Sequence, residues 1–112
     1  MMQMEIAEER IANALVLHAT GRLDGTTAAS FESAVLGRLD GKPSQLVLDF
    51  AGVEYVSSAG LRAILVAAKR GKGVGCPLAV CGLRAHIREV FDLSGFGNVV
   101  AIHPTVQEAL RS

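Results

Sequence analysis

Apolar residues recur along the chain at two spacings, which predict alternating strands and helices. Residues 15–19 form a largely apolar run that ends in Gly21, as expected for a strand that is apolar on both faces. Residues 4–7 predict a preceding strand, and a turn through 8–10 and Asn13 would make the two an antiparallel hairpin. Shorter apolar runs predict three more strands, at 46–48, 78–81 and 98–102.

Four other segments carry apolar residues at helical spacing. The first starts at Thr26 and ends before Gly41, and the second is broken by the glycine-rich run 71–75. The third is stopped by Gly95, and Pro104 suits the first position of the last helix. The apolar residues that define the four helices are Ala28, Phe31, Val35 and Leu39; Leu61, Ile64, Leu65 and Ala68; Leu83, Ile87, Val90 and Phe91; and Val106, Ala109 and Leu110.

The order of these segments predicts the architecture. Strands that alternate with helices imply right-handed crossovers and a mostly parallel sheet. We therefore predict a single α/β domain over residues 1–112, with a mixed sheet of four or five strands, an antiparallel N-terminal hairpin and about four helices. Functional loops in such sheets gather at the carboxyl ends of the strands. In this chain those loops are 21–25, 51–58 and Gly82.

Composition and charge exclude several classes of partner. The 112 residues are 50% hydrophobic, which suits a folded domain, and they carry 11 basic against 11 acidic side chains. Nucleic acids and anionic membranes require a basic face on the protein that binds them. Because the charges balance, neither is an expected partner.

The sequence also predicts a cytoplasmic protein. Its N-terminal residues do not form a secretory signal, and no run approaches the roughly 18 apolar residues of a membrane span, so no direct membrane insertion is expected. Cys76 and Cys81 are expected to pack as small reduced hydrophobes, with a disulfide between them as the less favoured alternative.

Signatures of metal, cofactor and enzyme sites are weak. His18, His86 and His103 are dispersed along the chain, so no metal site is predicted. The glycine-rich run 71–75 follows a helix and lacks the spacing of a phosphate-binding loop, so we interpret it as a solvated turn. No cofactor is predicted.

One segment carries more information than the rest. Residues 49–62 run from a predicted strand into a loop with two serines, Ser57 and Ser58, at the start of an apolar helix. Either hydroxyl could cap that helix by accepting from an N–H two or three residues further on. Ser58 also precedes Gly60 as in a nucleophile elbow, but Val56 stands where that motif needs glycine. The neighbouring side chains leave a small, apolar surface around a hydroxyl, which suits a protein partner.

Four short motifs occur together in a fixed order. They are Gly-Arg-Leu-Asp at 21–24, Leu-Asp-Phe-Ala-Gly-Val at 48–53, Val-Ser-Ser-Ala-Gly-Leu at 56–61 and Val-Phe-Asp-Leu-Ser-Gly-Phe at 90–96. In this combination they resemble the STAS domains, and in particular the free-standing bacterial anti-sigma factor antagonists. The resemblance extends from about Val16 to Leu110.

The resemblance implies a regulatory switch and not an enzyme. In this family the unmodified antagonist binds an anti-sigma factor that is also a serine kinase, and so frees a sigma factor. The kinase then phosphorylates one serine of the antagonist, and a serine phosphatase restores it. By resemblance the phosphoacceptor is Ser58. Many members carry Asp immediately before it, where this chain has Ser57, and often Ser after it, where this chain has Ala59.

Ser57 is therefore the second candidate for phosphorylation, and Asp24 matches an acidic residue of the neighbouring loop. The protein itself is expected to be a monomer or a weak dimer. The residues expected to contact the partner are Asp24, Gly25, Tyr55, Val56, Ser57, Ala59, Gly60, Leu61 and Arg62.

Two alternative functions remain open from the sequence. The first is a STAS accessory subunit of an ABC transporter for membrane lipids. The second is a small serine hydrolase that would use Ser58 with a distant histidine.

Overall fold

Five strands and four helices alternate along residues 4–111, the part of the chain that the computed structural model describes. The strands are β1 (Glu5–Ile11), β2 (Ala14–Leu23), β3 (Gln45–Val56), β4 (Leu78–Cys81) and β5 (Ala101–His103). The helices are α1 (Ala28–Leu39), α2 (Ser58–Gly73), α3 (Ala85–Leu93) and α4 (Val106–Arg111), with a short 3-10 turn at Phe96–Asn98. None of these helices is both long and apolar enough to cross a membrane. Residues 1–3 and 112 of the predicted domain lie outside the described residues.

The strands form one mixed sheet in the order β1-β2-β3-β4-β5. β1 pairs with β2 in the antiparallel sense, and the other neighbouring strands are parallel. The predicted fold class is therefore confirmed, including the antiparallel hairpin and the mostly parallel sheet. Because β2 and β3 point in the same direction, their last residues, Leu23 and Val56, lie side by side where the two strands end.

Helices cover the sheet on both faces. The first three pack on one face, where the large core side chains Phe31, Phe50 and Phe91 are buried. α4 covers part of the other face, where Ala109 contacts a smaller cluster that includes Val47. Burial on both faces explains why the central strands appear in the sequence as continuous apolar runs.

Both cysteines are buried and free, so the thiols pack as reduced side chains. Burial raises the pKa of Cys81 to about 12, with a further contribution from the Asp49 carboxylate nearby. Burial also raises the pKa of Cys76. These thiols are therefore protonated and unreactive at neutral pH.

The N-terminal hairpin differs from the prediction in its turn. The chain reverses at Ala12 and Asn13, and β1 continues through residues 8–10, where a turn was expected. The charged residues at 8–10 looked like a turn because polar runs usually lie in loops. They lie here on an exposed edge strand, where Glu8 accepts a hydrogen bond from Arg38 of α1 at 3.1 Å.

The third strand is much longer than the predicted 46–48. Residues 51–56, which the sequence predicts as loop, continue β3 and pair with the end of β2. Two register shifts between β2 and β3, at His18/Thr20 and Gly21/Arg22, make this pairing possible. Gly52 is required there because a Cβ atom would overlap the side chain of Thr20.

The glycine-rich run 71–75 is not wholly a turn. α2 starts three residues before Leu61, at Ser58, and extends to Gly73. Gly71 lies inside the helix, where a Cβ atom would approach the carbonyl oxygen of Cys76 to 2.5 Å. The prediction read this glycine as a helix breaker, whereas it permits the close return of the chain toward β4.

The last two elements begin later than predicted. Residues 96–98 form the 3-10 turn, and the strand expected at 98–102 lies at Ala101–His103. Pro104 is not the first residue of α4. The hydroxyl of Thr105 caps that helix by accepting from the N–H of Glu108 at 3.2 Å, which places Pro104 before the cap.

Candidate functional site

The start of α2 is fixed by Ser57. Its backbone is extended, and its hydroxyl oxygen accepts a hydrogen bond from the N–H of Gly60 at 3.3 Å. Its own N–H donates to the carbonyl oxygen of Leu23, at the end of β2, at 2.9 Å. Ser57 is thus the N-cap of the helix and also ties the helix to the neighbouring strand.

Ser58 is the first residue within α2, and it is exposed. No acidic side chain lies in the first turn of the helix, whereas Arg70 and Lys72 lie in its last turn. The free N–H groups and the helix dipole therefore favour negative charge at Ser58.

Gly60 holds this turn close against β2. A Cβ atom on Gly60 would lie 2.7 Å from the carbonyl oxygen of Leu23 and 2.8 Å from its side chain. Only glycine allows this approach without a shift of the helix. Gly60 is therefore a buried residue whose role is to fix the position of Ser57 and Ser58.

The loop between β2 and α1 is organised by Asp24. Its carboxylate accepts hydrogen bonds from the N–H of Thr26 at 2.9 Å and from the hydroxyl of Thr26 at 2.8 Å. The side chain of Arg22 lies 3.6 Å from the same carboxylate. These hydrogen bonds from Thr26 hold the pKa of Asp24 below its ordinary value, with a smaller contribution from Arg22. Asp24 is therefore ionised at neutral pH and folds back onto its own loop.

A groove separates the first turns of α1 and α2. Its volume is about 460 Å³ and it opens to solvent beside Ser58. Alanines form much of its walls, and the two charged side chains that line it, Glu32 and Arg62, come from opposite helices. The residues lining the groove are Gly25, Ala28, Ala29, Glu32, Ser58, Ala59, Arg62 and Ala63.

The groove brings together four of the predicted site residues, namely Gly25, Ser58, Ala59 and Arg62. It adds Ala28, Ala29, Glu32 and Ala63, none of which the sequence predicts as a site residue. Ala28 belongs to the apolar pattern that predicts α1, whereas Ala29 and Glu32 lie outside it. What the pattern lacked was the side of α1 that packs against α2.

The remaining predicted contact residues divide into exposed and buried positions. Tyr55 is 41% exposed, and the guanidinium of Arg22 lies 4.4 Å from the centre of its ring. Arg22 was not predicted, although it stands opposite Tyr55 in the register of β2 and β3. Leu61 is half-buried against the core, and Val56 is 7% exposed, so Val56 offers little surface to a partner.

Two histidines contact residues other than Ser58. His18 lies between the carboxylates of Glu9 and Asp49. The ring of His86 contacts the carbonyl oxygen of Glu54 at 2.8 Å. Within residues 4–111, no group of three or more His, Cys, Asp and Glu side chains is arranged to hold a metal ion.

The sequence matches the family described as the STAS domain over residues 5–109, which include the whole sheet, the groove and both serines. The chain belongs to the STAS family. Two relatives are similar over most of their length. BtrV of Bordetella bronchiseptica is 32% identical over 88% of this chain and 85% of its own. The anti-sigma-F factor antagonist RsfB of Mycobacterium tuberculosis is 30% identical over 85% of this chain and 77% of its own.

Solved structures share the fold of this STAS domain. An anti-sigma factor antagonist from Mycobacterium paratuberculosis superimposes with a TM-score of 0.88 at 24% identity, over 97% of this chain and 92% of its own. The anti-sigma factor antagonist SpoIIAA in its unphosphorylated form gives a TM-score of 0.78 at 18% identity, over 95% and 93% of the two chains. SpoIIAA of Bacillus in its phosphorylated form gives 0.71 at 18% identity, over 96% and 97%.

Proposed function

We propose that this STAS protein is an anti-sigma factor antagonist whose binding is switched off by phosphorylation of Ser58. In its unmodified form it binds an anti-sigma factor that is also a serine kinase, and so releases a sigma factor. That kinase phosphorylates Ser58, and a serine phosphatase removes the phosphate. The observation that carries the proposal is an exposed Ser58 hydroxyl at the first position of α2, beside an open groove.

The comparisons support the regulatory part of this proposal. RsfB, at 30% identity, is named an anti-sigma factor antagonist. SpoIIAA, which has the same fold, exists in a phosphorylated form. Both facts concern those proteins, and they lead us to expect that this chain binds an anti-sigma factor and accepts a phosphate.

The geometry favours Ser58 over Ser57 as the phosphoacceptor. The hydroxyl oxygen of Ser57 accepts from the N–H of Gly60, and its backbone is tied to Leu23, so a kinase would have to break the cap to use it. Ser58 is exposed and stands one residue beyond the cap. A phosphate there leaves the cap in place.

A phosphate on Ser58 acts at the surface and not on the fold. It adds about −1.5 to −2 charges at neutral pH. The N–H groups of the first turn can donate hydrogen bonds to this phosphate, and Arg62, one helical turn further on, lines the same groove. A partner packed over Ser58 would instead take this phosphate out of water with only part of its charge balanced. Such burial costs several kcal/mol, and about 1.4 kcal/mol corresponds to a tenfold loss of affinity.

The decisive experiment is phosphorylation by a candidate partner. A kinase-type anti-sigma factor encoded beside the gene for this chain is incubated with the protein and ATP, and the phosphopeptide is mapped. We expect one phosphate on Ser58 in the parent and none in Ser58→Ala. Ser57→Ala should still be phosphorylated on Ser58, whether or not the rate changes. Phosphate elsewhere, or on Ser57, would contradict the assignment.

A binding measurement separates this function from the transporter alternative. The unmodified protein should bind the anti-sigma factor, and the phosphorylated protein should not. A stable complex with a transporter ATPase, and none with the anti-sigma factor, would instead indicate an accessory subunit. Labelling of Ser58 by a fluorophosphonate would indicate a hydrolase.

A further inference from the structure

A second cluster of polar side chains lies on the sheet face opposite α1 and α2. Nδ1 of His18 lies 2.7 Å from Oδ2 of Asp49, and Nε2 lies 2.7 Å from Oε1 of Glu9. The three residues come from three neighbouring strands, β2, β3 and β1. One imidazole ring therefore connects the edge strand to the centre of the sheet.

The register of the sheet places this cluster at a definite point. His18 stands directly opposite Asp49, in the last regular pair before the first shift between β2 and β3. Glu9 stands opposite Val16 and reaches His18 diagonally. The histidine side chain is 38% exposed, and those of Glu9 and Asp49 are 54% and 19% exposed. The cluster is thus partly shielded from water, but the His18 ring is exposed enough to exchange a proton with solvent.

The geometry requires a particular protonation state. A carboxylate only accepts hydrogen bonds, and a neutral imidazole has one donor nitrogen and one acceptor nitrogen. With both carboxyl groups ionised, the two 2.7 Å contacts are hydrogen bonds only when His18 carries two N–H groups, which is the charged imidazolium. Loss of one proton would leave a ring nitrogen facing a carboxylate oxygen with no hydrogen between them.

The surrounding charges act in the same direction. Glu9 from β1 and Asp49 from β3 are the charged groups that face the ring, and their hydrogen bonds raise the pKa of His18, with Glu9 contributing most. Behind Asp49, the thiol of Cys81 lies 4.0 Å from Oδ1, and its raised pKa keeps it neutral. His103 of β5 stands opposite Cys81 in the register, one strand further from His18.

We propose that protonated His18 is a pH-responsive clamp that fastens the edge strand β1 to the sheet through Glu9 and Asp49. Among the described residues 4–111, β1 has only β2 as a neighbouring strand, so side-chain contacts matter more to its attachment than to that of a central strand. Below the ordinary pKa of histidine the clamp is closed and its contribution is complete. As the pH rises through the higher pKa of the folded state, the contribution is lost and β1 opens more often.

The first test measures the proton directly. The pKa of His18 in the folded protein is obtained from the pH dependence of its ring proton signals in NMR spectra. We expect a value above the ordinary value for histidine, a lower value in Glu9→Gln, and a still lower value in Glu9→Gln combined with Asp49→Asn. A parent value at or below the ordinary one would overturn the proposal.

The second test measures the attachment of β1. Amide exchange protection of the β1 residues bonded to β2 is compared with that of β3 at about pH 5.5 and about pH 9, after correction for intrinsic exchange rates. We expect β1 protection to fall at high pH by about tenfold for each unit of elevation of the His18 pKa, while β3 protection holds.

Two variants serve as controls for the second test. His18→Gln keeps a hydrogen-bond donor but has no proton to lose in this range, so its β1 protection should not depend on pH. His86→Gln changes a histidine whose ring contacts a backbone carbonyl and should behave as the parent. Equal pH dependence in the parent and in His18→Gln would show that His18 is not the clamp.

Discussion

Ser57 and Ser58 are chemically identical neighbours with different environments. Ser57 has an extended backbone, and its hydroxyl closes the first turn of α2, whereas Ser58 already lies within the helix and faces solvent. One residue thus separates a hydroxyl that stabilises the helix from one that a partner can reach. Many members of the family carry Asp at the first of these positions, and both Asp and Ser can accept a hydrogen bond as an N-cap. Ser57 keeps that capping role while removing a negative charge beside Ser58.

The two serines should respond differently to removal of the hydroxyl. Ser57→Ala leaves the N–H of Gly60 without its acceptor, and we expect a loss of about 1 kcal/mol in the free energy of unfolding. Ser58→Ala removes an exposed hydroxyl and should change that energy by less than about 0.5 kcal/mol. Urea denaturation followed by circular dichroism measures both. Equal losses of unfolding free energy in the two variants would show that the Ser57 hydroxyl does not stabilise α2 as its N-cap.

Asp24 predicts a dependence of stability on acid. Hydrogen bonds from Thr26 lower its pKa in the folded state, so its contribution is complete above the ordinary value of 3.8 and is lost as the pH falls through the lower folded value. Asp24→Asn lacks this contribution at every pH. We therefore expect the stability difference between parent and variant to be largest near neutral pH and to shrink as the pH falls below 3.8. Parallel urea midpoints for the two proteins across this range would contradict the expectation.

At the scale of elements, the site depends on how closely α2 approaches β2. Gly60 allows that approach, so Gly60→Ala forces the first turn of α2 away from Leu23. We expect a loss of about 1–3 kcal/mol in stability, because overpacking costs this much in a tight contact. Gly37→Ala is the matched control, since a Cβ atom there meets nothing within 4 Å in the exposed last turn of α1. It should stabilise the protein by about 0.5–1 kcal/mol, and a similar gain in Gly60→Ala would refute the close contact.

The sequence reveals the elements of this fold better than their ends. Apolar runs identify the central strands because the sheet is buried on both faces, and helical spacing identifies α1 to α3. The prediction was wrong at residues 51–56 and at Gly71 because a glycine looks the same in the sequence of a loop and at a close contact within the fold. Only the three-dimensional packing distinguishes the two cases.

The candidate site was predictable to a similar degree. The serine motif locates the start of α2, and the motif at 21–24 locates the neighbouring loop. Glu32 and Arg22 were not predicted, because the first depends on the packing of α1 against α2 and the second on the register of β2 with β3. The local sequence pattern determines neither the packing of α1 against α2 nor the register of β2 with β3.

At the scale of the whole molecule, the balance of charges matters to the proposed switch. The chain carries 11 basic and 11 acidic side chains, so one phosphate changes a formal net charge of zero by about −2. The phosphate would be added at an exposed helix start and not within the core, which α1 to α3 cover on one face of the sheet and α4 covers in part on the other. The fold and the binding surface can therefore respond separately to the same modification.

Ser58→Asp tests this separation. The added carboxylate lies at the N-terminus of α2, where the helix dipole favours it, so we expect the circular dichroism spectrum to be unchanged and the stability to change by less than about 0.5 kcal/mol. Affinity for the anti-sigma factor should fall at least about tenfold, because the same charge is unpaired in the bound state. Ser33→Asp adds an equal charge to an exposed residue of α1 that does not line the groove, and its affinity should match the parent. Equal weakening in both variants would indicate a general effect of charge, and unfolding of Ser58→Asp would assign Ser58 a structural role.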